Sequence, residues 1–375
     1  MAYTETTRTS YGKRLGNSLS GILVGLVMII GGTVLLWWNE GRAVHRTKLL
    51  KEAQGQVVEM PDITTVNPEF QGKLVHASGL PATTDILSDS RFKVSVKGAT
   101  ALKREVEYYQ WVESSETTTK DKIGGAQETT TTYYYNREWV SNPIDSRNFH
   151  DPEYKGKNSV KEQLESYTHY AKDVSFGAFK LTDGQIASIS GFVPIQATDS
   201  TATSFYIGKD AANPEIGDVR IKFYQVLPAT VSIISCVNGD SFTPFVSKSG
   251  KTFDTLVMGT VSQEQIFEGE HATNKMMLWL LRILGFFLIY MGLRNVFNIL
   301  ETLLKVLPFL SNILGWGLGI VCFVIALVWT LVVAAIAWVA YRPVLAIGLL
   351  LIAAAAIWYF CTHRKKKVDL PGQAA

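Results

Sequence analysis

Long apolar runs at the two ends of the chain constrain its fold more than any other feature. Residues 19–38 carry no charged side chain, and about 20 such residues are enough to cross the hydrocarbon core of a bilayer. Three further apolar runs lie near the C-terminus, at residues 276–293, 313–340 and 343–361. Between them, residues 39–275 have the mixed composition of a globular domain. The pattern predicts a multi-pass α-helical membrane protein with four transmembrane helices and a large domain between the first two.

The first apolar run is predicted to be a retained anchor. Lys13 and Arg14 resemble the basic segment of a signal peptide, but the run exceeds the roughly 7–15 residues typical of one, and no small-residue cleavage site follows it. The run ends in Trp37 and Trp38, which fit the aromatic belt at a membrane surface. We therefore expect both tryptophans at headgroup level, Asn39 and Glu40 in water, and a turn near Gly41 as the chain leaves the helix.

Basic residues in the short segments predict the orientation in the membrane. Residues 1–18, the segment 294–310 and the tail 362–375 together hold nine lysines and arginines, whereas the short loop 341–343 holds one. This asymmetry places both termini in the cytoplasm and the large domain outside it or in a lumen. The domain has 25 basic and 30 acidic residues, about −5 in net charge, and it has no basic stripe. Nucleic acid is therefore excluded as a partner.

The sequence contains no recognisable catalytic, cofactor or metal-binding motif. It has no H-E-x-x-H, G-x-S-x-G, Walker A or C-x-x-C pattern, and its six histidines are scattered. Cys236 is the only cysteine of the domain, so an internal disulfide is excluded. These features favour a protein without enzymatic activity.

The domain is predicted to be mostly β, with some helix. Residues 103–112 and 128–140 alternate and are rich in valine and aromatic residues, which predicts a long hairpin with Gly124 and Gly125 near its tip. The threonine-rich tip either meets another chain or has no partner. Strands are also predicted at 220–226 and 230–236. Ser159 and Glu162 form a capping-box pattern that predicts a helix over 159–172, and residues 262–265 allow a second helix start that runs into the second span.

The domain also suggests an internal repeat. Residues 72–81 resemble residues 184–194, and 106–110 resemble 221–225 at a nearly equal offset. The interpretation is two related β-rich units at about 67–140 and 178–250. Chance similarity between glycine-punctuated strands is the alternative.

Small and charged residues within the spans are candidate packing sites. Gly21 and Gly25 form a G-x-x-x-G pair in the first span, and Gly315 and Gly319 form one in the third. Such residues let helices approach closely, either within one bundle or between copies. Arg282 lies inside the second span, where a charge must snorkel to the surface or pair with an acid. Two acids near the base of the domain, Glu268 and Glu270, are the proposed partners.

The segment 294–310 is predicted to be an amphipathic interfacial helix. Its polar residues fall on one helical face, which is typical of a helix lying in the membrane surface. Glu301 and Lys305 are spaced to form a pair along that face.

The tetrapeptide after the first span resembles a signature of the LUMA family of four-span membrane proteins. The match is LLWWNEGRAV at residues 35–44, and it includes Asn39, Glu40, Gly41 and Arg42. Supporting matches are VEYYQWVE at 106–113, YNREWVSNPIDSRNF at 135–149, NPEIGDVRIKF at 213–223, FVSKSG at 245–250, YMGLRNVFNIL at 290–300 and YRPV at 341–344. They follow one another in order over nearly the whole chain.

The resemblance implies a membrane protein that self-associates and organises other membrane proteins, as the animal members do in the endoplasmic reticulum and inner nuclear membrane. The absence of a glycosylation sequon in the domain and the short tail favour a bacterial member in the cell membrane instead. The predicted function is a non-enzymatic scaffold without a cofactor, whose partners are membrane lipids, further copies of itself and other membrane proteins. The alternative is an envelope enzyme or a lipid-handling protein with a site where the domain meets the bilayer.

Overall fold

The computed structural model describes residues 2–196, 203–304, 308–342 and 358–359. The chain divides into two compact units. The sheet unit comprises Met1–Ser10, Leu49–Lys122 and Ala126–His271. The helix unit comprises Tyr11–Lys48, Ile123–Gly125 and Ala272–Ala375.

The described chain contains three long helices and one short one. The helices of the described chain are α1 (Tyr11–Gln54), α2 (Asp183–Ser188), α3 (Gln263–Leu303) and α4 (Pro308–Tyr341), with short 3₁₀ turns at Pro68–Phe70 and Ser146–Asn148. In the described residues, three helices are long and apolar enough to cross a membrane, namely α1, α3 and the part of α4 at Gly315–Tyr341. Most of the predicted fourth span, 343–361, and the basic tail 362–375 lie outside the described residues.

The first two spans belong to longer helices than predicted. Helix α1 continues past residue 38 to Gln54. Helix α3 runs from Gln263 to Leu303. At its start, the Ser262 hydroxyl accepts a hydrogen bond from the Gln265 amide at 3.4 Å. The predicted helical continuity from the domain into the second span is confirmed.

The structure has no break at residue 294, where an interfacial helix was predicted to begin. Residues 294–303 continue α3, and their polar face contacts α1 instead of water: the Thr302 hydroxyl lies 2.7 Å from the Ser18 hydroxyl, and the Asn298 amide donates to the same oxygen at 3.4 Å. Glu301 is approached by Arg294, at 3.4 Å, whereas its predicted partner Lys305 lies outside the described residues. The polar face that the sequence pattern assigned to solvent is thus packed against a neighbouring helix.

The sheet unit contains two main sheets, whose strands are mostly short apart from one long pair, Ala101–Asp121 and Gln127–Val140. Its strands in the described residues are β1 (Ala2–Thr9), β2 (Val58–Glu59), β3 (Leu74–Gly79), β4 (Pro81–Thr83), β5 (Ile86–Asp89), β6 (Val94–Lys97), β7 (Ala101–Asp121), β8 (Gln127–Val140), β9 (Tyr167–Tyr170), β10 (Val174–Phe176), β11 (Phe179–Lys180), β12 (Phe192–Pro194), β13 (Ser204–Ile207), β14 (Val219–Val226), β15 (Val231–Asn238), β16 (Ser241–Thr243), β17 (Phe245–Val246), β18 (Thr252–Phe253) and β19 (Thr255–Met258). One sheet has the order β1-β8-β7-β14-β12, with β13 beside β14 and β9 beside β7. The other has the order β2-β3-β15-β16-β11-β10-β4, with β19 beside β15.

Burial follows the position of each strand in its sheet. Strand β14 alternates buried and partly exposed residues along most of its length, as expected for a strand with one apolar face. Strand β15 is buried at its first five residues, because β3 and β19 flank it and the core covers it. The predicted strands at 220–226 and 230–236 are therefore confirmed as β14 and β15.

The predicted hairpin is confirmed, and its strands extend beyond the residues that show the alternating apolar pattern. Strands β7 and β8 pair from Tyr108↔Val140 to Asp121↔Gln127, so most of the threonine-rich stretch is strand and not loop. Gly124 and Gly125 form the tip with φ of 89° and 83°, a region of backbone space that favours glycine.

The N-terminal residues add a third strand to this hairpin. Strand β1 runs antiparallel to β8, from Ala2↔Tyr134 to Thr9↔Gln127. Threonines face each other across the pair, with the Thr6 and Thr130 hydroxyls 3.3 Å apart. Because β1 precedes the first span and β8 follows it, this pairing differs from the predicted separation of a cytoplasmic segment 1–18 from the domain. Complementary threonine side chains explain the pairing. The orientation prediction counted only lysines and arginines, so these uncharged side chains did not enter it.

The predicted helix over 159–172 is wrong. The described residues 158–166 form no helix, and residues 167–170 form β9. The Lys161 amide donates to the Gly217 carbonyl at 2.9 Å, and the Leu164 amide donates to the buried Tyr108 hydroxyl at 2.9 Å. These tertiary hydrogen bonds satisfy the backbone groups that a helix would have used, so the capping pattern was overridden.

The structure also does not reproduce the proposed repeat. Within residues 72–81 lies strand β3, whereas the matching residues 184–194 hold most of helix α2 and then the short strand β12. The other matching pair, 106–110 and 221–225, lies on β7 and β14, which are neighbours in one sheet. The similarity therefore reflects the same alternating strand pattern at two places in a sheet.

Two buried aspartates make the sheet unit sensitive to acid. Burial alone raises the pKa of Asp218, but hydrogen bonds from the Lys161 ammonium, the Tyr206 hydroxyl and the Glu215 amide lower that pKa below its usual value overall. Burial likewise opposes the ionisation of Asp89, yet Tyr167, the Phe92 amide and Arg104 hold its pKa low. Each carboxylate is thus more acidic in the folded state than the roughly 3.9 of an unfolded aspartate.

This linkage predicts an acid limit to stability. A depressed folded pKa gives stabilisation that is complete above the unfolded pKa and disappears as the pH falls through the folded pKa. The melting midpoint of the full chain in detergent, followed by circular dichroism, should therefore fall as the pH is lowered from about 5 to about 2.5. Asp218→Asn should lower the midpoint at neutral pH and make the midpoint depend less steeply on pH. Asp240→Asn, at an exposed position, should change neither the midpoint nor its pH dependence. A parent whose midpoint does not change over this range would contradict the prediction.

Candidate functional site

The signature tetrapeptide lies inside helix α1 and does not form a polar exit. Trp37 and Trp38 are 40% and 54% exposed, as a lipid-facing aromatic pair should be, but Asn39 and Glu40 are 0% and 2% exposed. The expectation that Asn39 and Glu40 lie in water is therefore wrong, and so is the expected turn at Gly41, because α1 continues to Gln54. The polar side chains face other helices of the helix unit.

Glu40 forms an ion pair with Arg282 of helix α3. The Arg282 Nε donates to Glu40 Oε1 at 2.6 Å, and the side chains are 3% exposed for Glu40 and 23% for Arg282. The guanidinium also lies over the Trp279 ring, 4.9 Å from its centroid. Of the two predicted fates of Arg282, pairing is therefore realised, but with Glu40 and not with Glu268 or Glu270.

Asn39 and Arg42 extend the contact along α3. The Asn39 amide donates to the Leu278 carbonyl at 2.9 Å, and its oxygen accepts from Arg42 Nη2 at 3.3 Å. Arg42 Nη1 donates to Asn274 Oδ1 at 3.1 Å. The Asn274 amide in turn donates to the Ala43 carbonyl at 3.0 Å and to the Thr47 hydroxyl at 3.1 Å. We refer to Asn39, Glu40, Arg42, Asn274 and Arg282 as the polar clamp.

Gly41 gives the clamp its contact with α4. A Cβ atom at Gly41 would lie 2.6 Å from Cζ of Tyr341, so only a glycine leaves room for that ring. Tyr341 also packs near Trp37, with ring centroids 5.9 Å apart. One turn of α1 therefore contacts α3 through its polar side chains. The same turn contacts α4 at Gly41, where the absence of a side chain leaves room for the Tyr341 ring.

Glycines bring α1 and α3 together deeper in the membrane segment. A Cβ at Gly25 would lie 2.6 Å from the Gly292 carbonyl oxygen, and a Cβ at Gly32 would lie 3.0 Å from that of Gly285. Gly21 is less tightly placed, with the Asn295 carbonyl oxygen at 3.8 Å. Gly25 thus lies where α1 and α3 of the same chain approach each other closely.

The third-span glycines surround a second charged cluster. Arg294 Nη1 donates to the Gly315 carbonyl at 2.8 Å, and a Cβ at Gly315 would lie 3.0 Å from the Glu301 carboxyl carbon. A Cβ at Gly319 would lie 3.6 Å from Arg294 Nη1. These glycines therefore make space for an Arg–Glu pair and not for the backbone of another helix. The cluster lines a cavity of about 620 Å³ together with Tyr290 and Trp316.

The chemistry available at the clamp is electrostatic and structural. It holds two guanidinium groups and one carboxylate, and the hydrogen bonds of Asn39, Glu40 and Arg42 all go to residues of the helix unit. In a medium without water, each such contact satisfies a group that would otherwise be costly to bury. The described residues contain no group of three or more histidine, cysteine or acidic side chains able to hold a metal ion. The arrangement fixes the register of α1 against α3.

Several members of these sites were not identified from the sequence. Asn274 belongs to the polar clamp, Tyr341 packs against Gly41, and Gly285 and Gly292 receive the glycines of α1. The spacing of seven residues between Gly285 and Gly292 equals that between Gly25 and Gly32, which is the signal that could have paired the two helices. Asn274 carries no such signal, because a single polar residue before a span is common.

Comparison with known proteins places the chain in a family. A profile described as Transmembrane protein 43 matches residues 108–343. Transmembrane protein 43 of Rattus norvegicus is 35% identical over 352 residues, which cover 88% of this chain and 87% of the rat protein.

Other animal relatives match over a similar extent. The Homo sapiens protein of the same name is 34% identical over 366 residues, 92% of this chain and 90% of the human protein. The Transmembrane protein 43 homolog of Drosophila melanogaster is 28% identical over 357 residues, 90% of this chain and 93% of that protein. No solved structure matches the chain. The LUMA resemblance is thereby confirmed, and the chain is a membrane protein that belongs to the Transmembrane protein 43 family.

Proposed function

We propose that this protein is a non-catalytic membrane scaffold that self-associates through the distal part of its long hairpin. The observation that carries the proposal is an open sheet edge. Strand β7 pairs with β14 only over residues 101–108, so beyond that point its outer edge has no neighbouring strand among the described residues. Residues 114–120 of this edge are all exposed.

An open edge of this kind is suited to pairing with another chain. The unpaired backbone groups of an edge strand form a template for strand addition, and native proteins often block such edges with charged or inward-pointing residues. The stretch Ser114–Thr119 carries one charge, at Glu116, and is otherwise serine and threonine. A narrow ribbon with little apolar surface is also poorly stable by itself, which favours support by a neighbour.

The polar clamp supports the same role. A scaffold must hold a fixed shape, and the family signature residues are used for contacts among α1, α3 and α4. The closed assemblies that homo-oligomers usually form suggest a dimer or ring. Further membrane proteins would bind to this assembly, in the cell membrane or, as the LUMA resemblance implies, in the endoplasmic reticulum or inner nuclear membrane.

The test is the mass of the full chain in mild detergent. We expect the parent to be oligomeric at micromolar concentration, and Thr117→Lys/Thr119→Lys to weaken association at least about tenfold by placing charges on the open edge. The matched control is Thr129→Lys/Thr131→Lys, which puts the same charges on the directly opposed residues of the inner strand β8. A monomeric parent, or an edge variant as oligomeric as the parent, would refute the proposal.

A further inference from the structure

A groove between α3 and α4 contains polar groups that the polar clamp does not use. The groove has a volume of about 460 Å³ and lies on the helix unit. Its lining is mostly leucine, isoleucine, alanine and aromatic side chains, with Trp279 and Trp338 among them, and it includes Arg282 and Thr330.

Thr330 is an unsatisfied polar group in this apolar lining. Thr330 is only 8% exposed, and its hydroxyl has no hydrogen-bond partner in the described part of the chain. A threonine in a helix can usually bond to a carbonyl of the preceding turn, but this hydroxyl does not. A buried hydroxyl without a partner is costly in an apolar medium, so the groove contains a donor that a ligand would satisfy.

Arg282 presents a second unused donor surface. Its Nε is taken by Glu40 at 2.6 Å, whereas its two Nη groups make no hydrogen bond to another residue of the described ranges. A guanidinium has five N–H donors arranged to grip carboxylate or phosphate oxygens. A second cation, Arg342, lies over the Trp338 ring at 5.6 Å from its centroid, so Arg282, Arg342 and Glu40 together carry a net charge of +1 at the groove.

We propose that this groove binds an anionic glycerophospholipid. The phosphate accepts hydrogen bonds from the Nη groups of Arg282, the acyl chain lies along the apolar wall towards Phe286 and Phe323, and Thr330 donates to an ester carbonyl. Trp279 and Trp338 are of the type that marks the headgroup level, which is where a phosphate would meet the Nη groups of Arg282 that its pair with Glu40 leaves unused. The inference does not depend on the scaffold proposal, because the groove and the hairpin edge belong to different units.

Thermal unfolding of the full chain in neutral detergent, with added lipid, tests the site. The phosphatidylglycerol POPG should raise the melting midpoint in a saturable way, by roughly 5 °C near saturation, and the zwitterionic POPC should not. Native mass spectrometry should show one POPG retained per chain. Ala334 lines the groove, so Ala334→Phe fills it and should abolish the POPG effect without lowering the lipid-free midpoint.

Two further variants test whether the POPG effect is specific to the groove. Val328→Phe adds the same ring at a 54% exposed position of α4 that does not line the groove, and it should respond to POPG as the parent does. Thr330→Val should weaken POPG binding by about threefold to tenfold, the value of one hydrogen bond. Equal responses to POPG and POPC, or a POPG response that survives Ala334→Phe, would overturn the proposal.

Other occupants of the groove give distinct results. Loss of oligomers in Ala334→Phe, with the POPG response unchanged, would make the groove a packing face for a second copy. Efficient disulfide formation within one chain between Ala334→Cys and Ala355→Cys would assign the groove to the predicted fourth span. Either result would overturn the lipid assignment.

Discussion

Replacement of Glu40 by alanine is expected to lower the thermal midpoint of the detergent-solubilised protein by roughly 5 °C. The change leaves the Arg282 guanidinium without its carboxylate partner in a site where Glu40 is 3% exposed. Removing one partner of a buried ion pair costs about 3–5 kcal/mol, since the remaining charge stays desolvated, and in a chain of 375 residues each kcal/mol shifts the midpoint by about 1–2 °C. Arg282→Ala should have an effect of the same size.

The matched control is Glu268→Ala. Glu268 lies in the same helix as Arg282 and is an acid that the sequence offered as its partner, but it is exposed. Its replacement should shift the midpoint by no more than about 1 °C, as expected for a surface substitution. An equal loss in Glu268→Ala and Glu40→Ala would show that Arg282 pairs as the sequence suggested and that the clamp is wrongly assigned.

Gly25→Leu should lower the free energy of unfolding by about 3 kcal/mol, at the upper end of the usual cost of overpacking. The new Cβ would lie 2.6 Å from the Gly292 carbonyl oxygen and 2.9 Å from Cγ2 of Val296, so α1 and α3 would have to move apart. Because both helices belong to one chain, the loss should not depend on protein concentration. Denaturation in graded sodium dodecyl sulfate at two concentrations measures both quantities.

Gly31→Leu is the control on the same helix. A Cβ at Gly31 would have no atom within 4 Å, so leucine there should be neutral or slightly stabilising by helix propensity. If Gly25→Leu were tolerated as well as Gly31→Leu, the close approach of α1 and α3 would be wrong. If its effect disappeared at low protein concentration, the glycine would face a second copy.

The sequence predicted the elements whose signal is local. The uncharged first span, the alternating strands on both sides of Gly124 and the helix start at Ser262 each depend on neighbours a few residues apart. The same local reasoning failed at residues 159–172, where hydrogen bonds to Tyr108 and Gly217 outweighed a capping pattern. Contacts between residues far apart in sequence decided that segment.

The candidate site shows the same division. Asn39, Glu40, Gly41 and Arg42 were identified through family resemblance, but Asn39 and Glu40 were predicted to lie in water because an apolar run ends before them. Their burial depends on Asn274, Arg282 and Tyr341, which lie more than 200 residues further along the chain. No periodicity connects such positions, so only the fold reveals that the signature is an interhelical clamp.

A double-mutant cycle between Glu40 and Arg282 tests this account most directly. The free energies of unfolding of the parent, Glu40→Ala, Arg282→Ala and the double variant are measured in the same detergent. The clamp predicts that the double variant loses less than the sum of the single losses, with a coupling of at least about 1.5 kcal/mol, because each single change already breaks the pair. Additivity within about 0.5 kcal/mol would mean that the two side chains act independently and would contradict the clamp.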